Sequence, residues 1–257
     1  MGILEQFSLA GKKSLVTGGG TGIGRAIATG LAEAGADVAL VGRRPEPLEE
    51  TAAKVRAIGR RTLVLPADVR NQEEVDRFID AIVAAWGRLD VAVNNAGIGA
   101  HMDTLDASEA AWDEMIDTNL KGPFLCMQAE ARVMIAAGGG KIINNASMSG
   151  SIVNRPQWQA PYNTSKAGLI HLTRSVAAEW IPHGVYVNAL SPGYIVTKMA
   201  DNPHIRENLQ PTWLRDTPIG RMGTVEDLQG AVIYLASDAS NFTVGLDMIV
   251  DGGFTIF

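Results

Sequence analysis

The chain has 257 residues, a net charge of −6, 46% hydrophobic residues and 19% charged residues. A length of about 250 residues suits one large α/β domain, and this composition is ordinary for a globular protein and unlike that of a disordered one. The acidic balance excludes the basic surface that usually marks a nucleic-acid-binding protein.

The cellular compartment is indicated by three features of the sequence. A single cysteine, Cys126, cannot form an internal disulfide, which favours a reducing compartment. No apolar stretch approaches the roughly 18 residues that cross a bilayer, and the first residues lack the segments of a signal peptide. We therefore expect a cytoplasmic protein that acts on a small molecule, with no membrane or nucleic-acid partner.

Short apolar segments alternate with amphipathic helical patterns along the chain. The predicted strands are Ser14–Thr17, Val38–Val41, Thr62–Leu65, Val91–Asn94, Lys141–Asn145, Val185–Ala189 and Leu246–Val250. The predicted helices are Gly22–Ala34, Glu46–Ile58, Asn71–Trp86, Ser108–Ala136, Pro161–Ile181 and Thr224–Ala236. The first four strands are nearly all apolar, which is typical of parallel strands buried on both faces. The alternation predicts a single α/β domain with a doubly wound parallel sheet and helices on both faces.

A glycine-rich loop, Thr17-Gly18-Gly19-Gly20-Thr21-Gly22-Ile23-Gly24, joins the first predicted strand to the first predicted helix. Glycines allow the backbone to approach a ligand closely, and the N–H groups at a helix start attract an anion. The loop does not fit G-x-G-x-x-G, because Ile23 stands where the last glycine is required, but it fits T-G-x-x-x-G-x-G. Its place in a βαβ unit predicts a dinucleotide site, the alternative being a structural turn.

Tyr162 and Lys166 stand four residues apart in a predicted helix, so their side chains share one face. Reduction of a ketone requires a hydride at carbon and a proton at oxygen, and a tyrosine with a pKa of about 10 releases its proton slowly near neutrality. A nearby ammonium or an oxidised nicotinamide would lower that pKa. Alone, the pair is equally compatible with an ordinary surface pair of an amphipathic helix.

Together, these segments resemble the short-chain dehydrogenase/reductase family from about Leu9 to Gly253. The matching pieces, in family order and spacing, are Thr17–Gly24, Asp68-Val69, Asn94-Asn95-Ala96-Gly97, Asn119, Ser147, Tyr162 with Lys166, Ser191-Pro192-Gly193 and Asp251-Gly252-Gly253. The resemblance implies one Rossmann-like domain over residues 1–257, with a cofactor half (about 9–150) and a substrate and catalytic half (about 151–257).

The resemblance also implies a role for each matching residue. Tyr162 would be the general acid/base, Lys166 would lower its pKa and bind the nicotinamide ribose, and Ser147 would hold the substrate oxygen. Asn119 would fix a water molecule in a proton relay. The implied cofactor-binding residues are Gly18, Thr21, Gly22, Ile23, Gly24, Arg43, Arg44, Asp68, Val69, Asn95, Ala96, Gly97, Tyr162, Lys166, Pro192, Gly193, Ile195 and Thr197.

The identity of the catalytic serine is open between two positions. In the family this serine usually lies thirteen residues before the tyrosine, and that count points to Ser149. The segment Ala146–Gly150 matches the family's serine-to-glycine spacing only if Ser147 is catalytic, which places two extra residues within Asn154–Pro161. We favour Ser147, because a loop tolerates an insertion more readily than the end of a strand does.

The end of the second strand bears on cofactor choice. Members specific for NAD place an acidic residue there, and this sequence has Gly42. The guanidinium of Arg43 suits a 2′-phosphate, and Arg44 can add a second charge. Thr21 argues the other way, because many NADP-dependent relatives carry a basic residue at its position. We predict NADP(H) as the preferred cofactor with some NAD(H) activity, and no metal, since the four histidines show no metal-ligand spacing.

The segment Asn154-Arg155-Pro156-Gln157 resembles a loop of mannitol and sorbose reductases, and polar side chains there would suit a polyhydroxylated substrate. We therefore expect an NADP(H)-dependent oxidoreductase that interconverts a secondary alcohol and a ketone of a polyol, ketose or related carbohydrate. A 3-oxoacyl carrier-protein reductase is the alternative, although residues 136–140 and 183–184 lack the basic side chains for docking an acidic carrier. A non-catalytic cofactor-binding protein is a third hypothesis.

Two further expectations concern packing. The family is usually tetrameric, and the predicted helix Ser108–Ala136 is apolar around much of its circumference, which predicts a D2 homotetramer. Trp158 and Trp213 fall in predicted loops near the active site, where they would either line the pocket or pack beneath it.

Overall fold

The computed structural model describes residues 2–197 and 203–257, whose strands form one seven-stranded sheet. The strands are β1 (Lys13–Thr17), β2 (Asp37–Gly42), β3 (Thr62–Pro66), β4 (Val91–Asn94), β5 (Gly140–Asn145), β6 (Val185–Pro192) and β7 (Asp247–Val250). All pair in parallel in the order β3-β2-β1-β4-β5-β6-β7. The strand order therefore reverses between β1 and β4, and the predicted doubly wound sheet is confirmed.

Helices cover both faces of the sheet. They are α1 (Gly22–Glu33), α2 (Pro45–Ala57), α3 (Gln72–Trp86), α4 (Glu109–Ile116), α5 (Gly122–Ala136), α6 (Ala160–Trp180), α7 (Pro203–Asn208), α8 (Gln210–Asp216) and α9 (Gln229–Ala236). One buried apolar cluster joins the sheet to α3, α5 and α6, and a second joins it to α1, α2 and α9. None of the described helices has the length and apolar character needed to cross a membrane.

The burial of β3 differs from the prediction. Its residues Thr62–Leu65 are half-buried rather than buried, because β3 lies at one edge of the sheet and, among the described strands, pairs only with β2. Apolar composition does not distinguish an edge strand that is half covered from a central strand that is covered on both faces.

The long helix predicted over Ser108–Ala136 is interrupted. Residues Asp117–Lys121 form a π-helical turn between α4 and α5, and the N–H of Gly122 bonds to the carbonyl of Asp117 five residues earlier. Pro123 has no N–H to donate to the carbonyl of Asn119, so the α-helical pattern cannot continue through this point. The prediction of one continuous helix was wrong at this turn, which carries Asn119.

The segment after β6 also differs from the prediction. It contains the short helices α7 and α8, so Trp213 lies in a helix rather than in a loop. Each has a proline in its first turn, which is a start signal for a helix, but six or seven residues give too short a periodic pattern to recognise. The last predicted helix begins later than expected, because Glu226–Leu228 form a 3-10 turn before α9.

Hydrogen bonds join the ends of β1 and β4, where the strand order reverses. The hydroxyl Oγ1 of Thr17 accepts from the backbone N–H groups of Asn95 and Ala96, each at 3.0 Å. The side-chain Nδ2 of Asn95 donates to the carbonyl of Thr17 at 3.0 Å, so both the side chain and the backbone of Thr17 are bonded to the end of β4. Thr17 is buried, so water does not replace these bonds.

Substituting Thr17 with valine should therefore destabilise the protein. Thr17→Val keeps the shape of the side chain but leaves two backbone N–H groups without their acceptor. We expect the free energy of unfolding, measured by urea denaturation without added cofactor, to fall by about 1–3 kcal/mol.

Thr29→Val is the matched control for this substitution. Among the described residues, the Thr29 hydroxyl donates only to the carbonyls of Arg25 and Ala26, which lie within α1, and the Ala26 carbonyl also accepts from Nε2 of Gln229. A loss as large for Thr29→Val as for Thr17→Val would contradict the importance assigned to the junction.

Candidate active site

A cavity of about 670 Å³ lies at the carboxyl ends of the parallel strands, beside the reversal of strand order between β1 and β4. This is where ligands bind in doubly wound sheets. All eighteen residues predicted to bind the cofactor line it: Gly18, Thr21, Gly22, Ile23, Gly24, Arg43, Arg44, Asp68, Val69, Asn95, Ala96, Gly97, Tyr162, Lys166, Pro192, Gly193, Ile195 and Thr197. Of the predicted catalytic residues, Ser147, Tyr162 and Lys166 line the cavity, and Asn119 lies buried beside it.

The glycine-rich loop forms a tight turn beneath this cavity. Gly18 has φ +66°, and a Cβ atom on Gly24 would lie 2.2 Å from the Gly18 carbonyl oxygen, so both positions require glycine. The guanidinium of Arg25 donates to the carbonyl of Gly20 through Nε at 3.0 Å and Nη2 at 2.7 Å. The loop backbone is thus held in place, with the start of α1 exposed to the cavity as a phosphate site requires.

Positive charge collects at the end of the cavity near β2 and β3. The side chains of Arg43, Arg44 and Arg70 line this end. Asp68 is the only carboxylate among the described lining residues, and Arg70 binds it at 2.6 Å. The hydrogen bond from Arg70 lowers the pKa of Asp68, which keeps this carboxylate ionised and paired. A glycine-lined turn next to several guanidinium groups fits a phosphorylated dinucleotide.

Tyr162 and Lys166 extend from the first turns of α6 into the centre of the cavity. The Lys166 ammonium lies 5.7 Å from the centroid of the Tyr162 ring and donates to the carbonyl of Asn145 at 2.8 Å. Burial lowers the pKa of Lys166 to about 8. Burial raises the pKa of Tyr162, while a hydrogen bond with the Ser147 side chain lowers it in part. Without cofactor, Tyr162 is therefore a protonated phenol at neutral pH.

The two candidate serines have different partners. Ser147, which follows β5, accepts from the N–H of Ser149 at 3.1 Å through Oγ, and its side chain lowers the pKa of the Tyr162 phenol. The Ser149 hydroxyl instead accepts a hydrogen bond from Nε2 of Gln159 at 3.3 Å. The geometry thus favours Ser147 as the serine that acts with the tyrosine, as expected if the extra residues lie in the following loop.

Asn119 lies in the π-helical turn, and its side-chain amide bonds to the backbone of Ile98, in the segment after β4. Its Oδ1 accepts from the N–H of Ile98 at 2.8 Å, and its Nδ2 donates to the carbonyl of Ile98 at 2.9 Å and to Ser165 Oγ at 3.2 Å. The amide therefore fixes the segment after β4 against α6. π-helical turns occur often at functional sites, and this one presents the Asn119 side chain to Ile98 and Ser165.

The opposite end of the cavity contains residues that the sequence analysis did not assign to the site. Tyr194, His101 and Gln159 line this end. The sequence signal for Tyr194 is its position between Pro192-Gly193 and Ile195, which are all predicted to bind the cofactor. Burial lowers the pKa of His101, so this histidine is neutral near pH 7.

The polar loop contributes fewer side chains to the cavity than expected. Asn154 and Gln157 line it, whereas the side chain of Arg155 is 77% exposed and lies 3.7 Å from Asp216. Trp158 is 60% exposed and does not line the cavity. Trp213 is buried and lines the cavity from α8. Of the two tryptophans for which a position in the pocket was considered, Trp213 therefore has it and Trp158 does not.

Comparison with known proteins agrees with this geometry. Residues 18–255 match a family model described as enoyl-(acyl carrier protein) reductase. Galactitol 2-dehydrogenase of Rhizobium johnstonii is 43% identical over 256 residues, covering 99% of each chain. NADP-dependent mannitol dehydrogenase of Hypocrea jecorina is 40% identical over 98% of this chain and 96% of its own.

A solved structure shows the same fold. Gluconate 5-dehydrogenase from Burkholderia cenocepacia, in complex with NADP and tartrate, superimposes with a TM-score of 0.93 at 36% identity over 100% of both chains. Matches of this extent cover both the glycine-rich loop and the segment with Tyr162 and Lys166. The chain belongs to the short-chain dehydrogenase/reductase family.

Proposed function

We propose that this protein is an NADP(H)-dependent oxidoreductase that interconverts a secondary alcohol and a ketone of a polyol, ketose or related carbohydrate. The observation that carries the proposal is the cavity that brings Ser147 and Tyr162 together beside the buried Lys166. The same cavity continues to the glycine-rich loop and the arginines. A proton donor and a dinucleotide site in one cavity are the two requirements of carbonyl reduction.

The chain's own residues supply the proton and its control. In reduction, the Ser147 hydroxyl holds the substrate carbonyl oxygen next to Tyr162, and Tyr162 transfers its phenolic proton to that oxygen. The Lys166 ammonium stabilises the phenolate that remains, because a neighbouring positive charge favours the ionised form. The glycine-rich loop and Arg43 would hold a nicotinamide cofactor in this cavity, and that cofactor would supply the hydride for reduction of the carbon or take it up in the reverse direction.

Replacement of the lost proton completes the cycle. The family resemblance assigns a water relay to Asn119, and this assignment stays a prediction. In support of it, the Asn119 amide fixes the segment at Ile98, and Gly97 lies between that amide and the Lys166 ammonium. A Cβ atom on Gly97 would lie 3.1 Å from Asn119 Oδ1 and 3.8 Å from Lys166 Nζ, so glycine leaves room between them.

The preference for NADP(H) rests on the charges around the end of β2. Gly42 offers no carboxylate that would repel a 2′-phosphate, and both Arg43 and Arg44 line the cavity. The one carboxylate of the described lining, Asp68, is already paired with Arg70. The family members with NADP in their names or structures support the same choice.

The carbohydrate substrate is supported by the chemistry of the other end of the cavity. Its polar groups are uncharged and include the hydroxyls of Ser147 and Tyr194, the neutral imidazole of His101 and the amides of Asn154, Gln157 and Gln159. Such groups match a substrate that presents several hydroxyls. Relatives that act on galactitol and mannitol by name are consistent with this chemistry. The division into a cofactor half (about 9–150) and a substrate half (about 151–257), and a cytoplasmic location, remain predictions.

We also propose a D2 homotetramer. Ile116, Leu120 and Phe124 form an exposed apolar hollow with Leu172 of α6, and Phe124 is 39% exposed. A monomer leaves these apolar side chains in water, whereas pairing of the same helices between subunits would bury them.

The first test of the proposed function measures turnover. Wild-type protein should oxidise NADPH, followed by its absorbance, with ketohexoses such as fructose, sorbose or tagatose, and not with 3-oxoacyl thioesters of a carrier protein. Tyr162→Phe removes only the transferable proton, so turnover should fall by at least about a hundredfold while NADPH affinity is kept.

Serine variants provide the matched pair for this test. Ser147→Ala should lose turnover as Tyr162→Phe does, whereas Ser149→Ala should retain it, because Ser149 bonds to Gln159 and not to the phenol. Retention of most activity by Tyr162→Phe would contradict the mechanism, and activity with thioesters alone would contradict the substrate class.

A second prediction concerns the choice between cofactors. Arg43→Ala removes a guanidinium from the cavity, and NADPH affinity should fall roughly ten- to a hundredfold, the value of a charge-assisted hydrogen bond, with NADH affinity little changed. Fluorescence titration of each cofactor measures this directly. Arg56→Ala is the control, since Arg56 pairs with Glu49 on the surface of α2. An unchanged NADPH affinity in Arg43→Ala, or wild-type preference for NADH, rules out the assignment.

A third prediction concerns assembly. Light scattering should give a mass about four times the 27.3 kDa of one chain. Phe124→Glu places a charge in the apolar hollow and should lower that mass, because burial of an unpaired carboxylate is strongly unfavourable. A wild-type mass near that of one or two chains refutes the tetramer.

A further inference from the structure

The ring of Tyr194 is held in place at the substrate end of the cavity, away from the arginines. It stacks on Trp213 with a centroid distance of 4.0 Å and an interplanar angle of 10°, and it meets the edge of Phe254 at 5.2 Å. Stacking of this kind holds the plane of the ring and therefore the line along which its hydroxyl lies. The direction of the hydroxyl proton depends on the groups bonded to the phenol oxygen.

The first of these groups is the Gln157 amide, whose orientation is determined by Trp213. The indole Nε1 can only donate, and it bonds to Oε1 of Gln157 at 3.1 Å. The other end of the same amide must then be the NH2 group, and this group lies 3.1 Å from the Tyr194 oxygen. Gln157 is buried, so water does not compete for these bonds. The Tyr194 oxygen is therefore an acceptor toward Gln157.

The second group is Asn154, which is also buried. Its Nδ2 donates to the Tyr194 oxygen at 3.0 Å, while its Oδ1 accepts from Nε2 of Gln159 at 3.1 Å. A phenol accepts two hydrogen bonds and donates one, so both acceptor positions of Tyr194 are used. Within residues 2–197 and 203–257, the two amides are the only hydrogen-bond partners of this hydroxyl. The phenolic proton is left for a group that enters the cavity.

We propose that Tyr194 donates this proton as a hydrogen bond to a substrate oxygen remote from the reacting carbon, and that Asn154 and Gln157 are positioning residues that hold it as a donor. The inference rests on the proposed function, because a polyhydroxylated ketone presents oxygens beyond its carbonyl that can accept the bond, whereas a simple ketone presents none. Burial raises the pKa of Tyr194, which keeps the phenol protonated at neutral pH. A donor held in this way favours substrates with an oxygen at that position and disfavours ketones without one.

Tyr194→Phe tests the proposal by comparing two substrates. The variant keeps the stacking on Trp213 and removes only the hydroxyl. At saturating NADPH, kcat/KM for a ketohexose should fall by about tenfold, mainly through KM, since a hydrogen bond made equally in ground and transition states is lost. The value of kcat/KM for cyclohexanone, a ketone with no hydroxyl group, should not change.

Gln157→Glu tests the positioning without removing the phenol. One carboxylate oxygen keeps the bond from the Trp213 indole, and the other accepts the Tyr194 proton and withdraws it from the substrate. This variant should show the same selective loss with the ketohexose, and combining it with Tyr194→Phe should add no further loss. Tyr186→Phe is the control, because Tyr186 packs under the Lys141 ammonium and does not line the cavity.

The outcomes separate this proposal from the function on which it rests. Equal losses with both ketones in Tyr194→Phe would indicate a purely structural role and overturn the proposal alone. Normal ketohexose kinetics in either single variant would overturn it as well. Wild-type protein that reduces cyclohexanone but no ketohexose would contradict the carbohydrate function, and the inference would fall with it.

Discussion

The hydrogen bonds between Thr17 and Asn95 are the constraint on which the site depends. They tie the ends of β1 and β4 together where the strand order reverses, and that reversal is what opens a crevice at the edge of the sheet. Asn95 also accepts from the Asn145 side chain, and the Asn145 carbonyl in turn holds the Lys166 ammonium. A short chain of buried polar contacts therefore links the glycine-rich loop to the catalytic helix.

The cavity is divided electrostatically along its length. Guanidinium groups and one paired carboxylate lie at one end, and uncharged amides and hydroxyls lie at the other. Between them, burial shifts the pKa of Tyr162 upward and that of Lys166 downward, each toward its neutral form. The centre of the cavity thus opposes charge, while the Ser147 bond favours the phenolate. Burial is the larger of these two opposing effects on the phenol, so without cofactor Tyr162 keeps the proton that it would transfer in reduction.

The sequence predicts the sheet well because each central strand is a short apolar run between turn signals, and local composition carries that information. The family resemblance of the sequence also selects residues that the fold brings together, since all eighteen predicted to bind the cofactor line one cavity. Pro123 signals that the α-helical hydrogen bonds are interrupted near Asn119, but the sequence does not reveal that a π-helical turn bridges the interruption, nor that β3 lies at an edge. The role of Tyr194 depends on amide orientations among residues 37 and 40 positions away, which no local pattern contains.

The substrate end of the cavity is built from the loop at Asn154–Gln157 and from α8, neither of which contributes to strand pairing. Changes in these two segments can alter which substrate is bound while the seven strands and the dinucleotide crevice stay the same. The residues that react can therefore stay the same in evolution while the surface that recognises the substrate changes. Proteins similar to this chain carry the names of galactitol, mannitol and gluconate dehydrogenases.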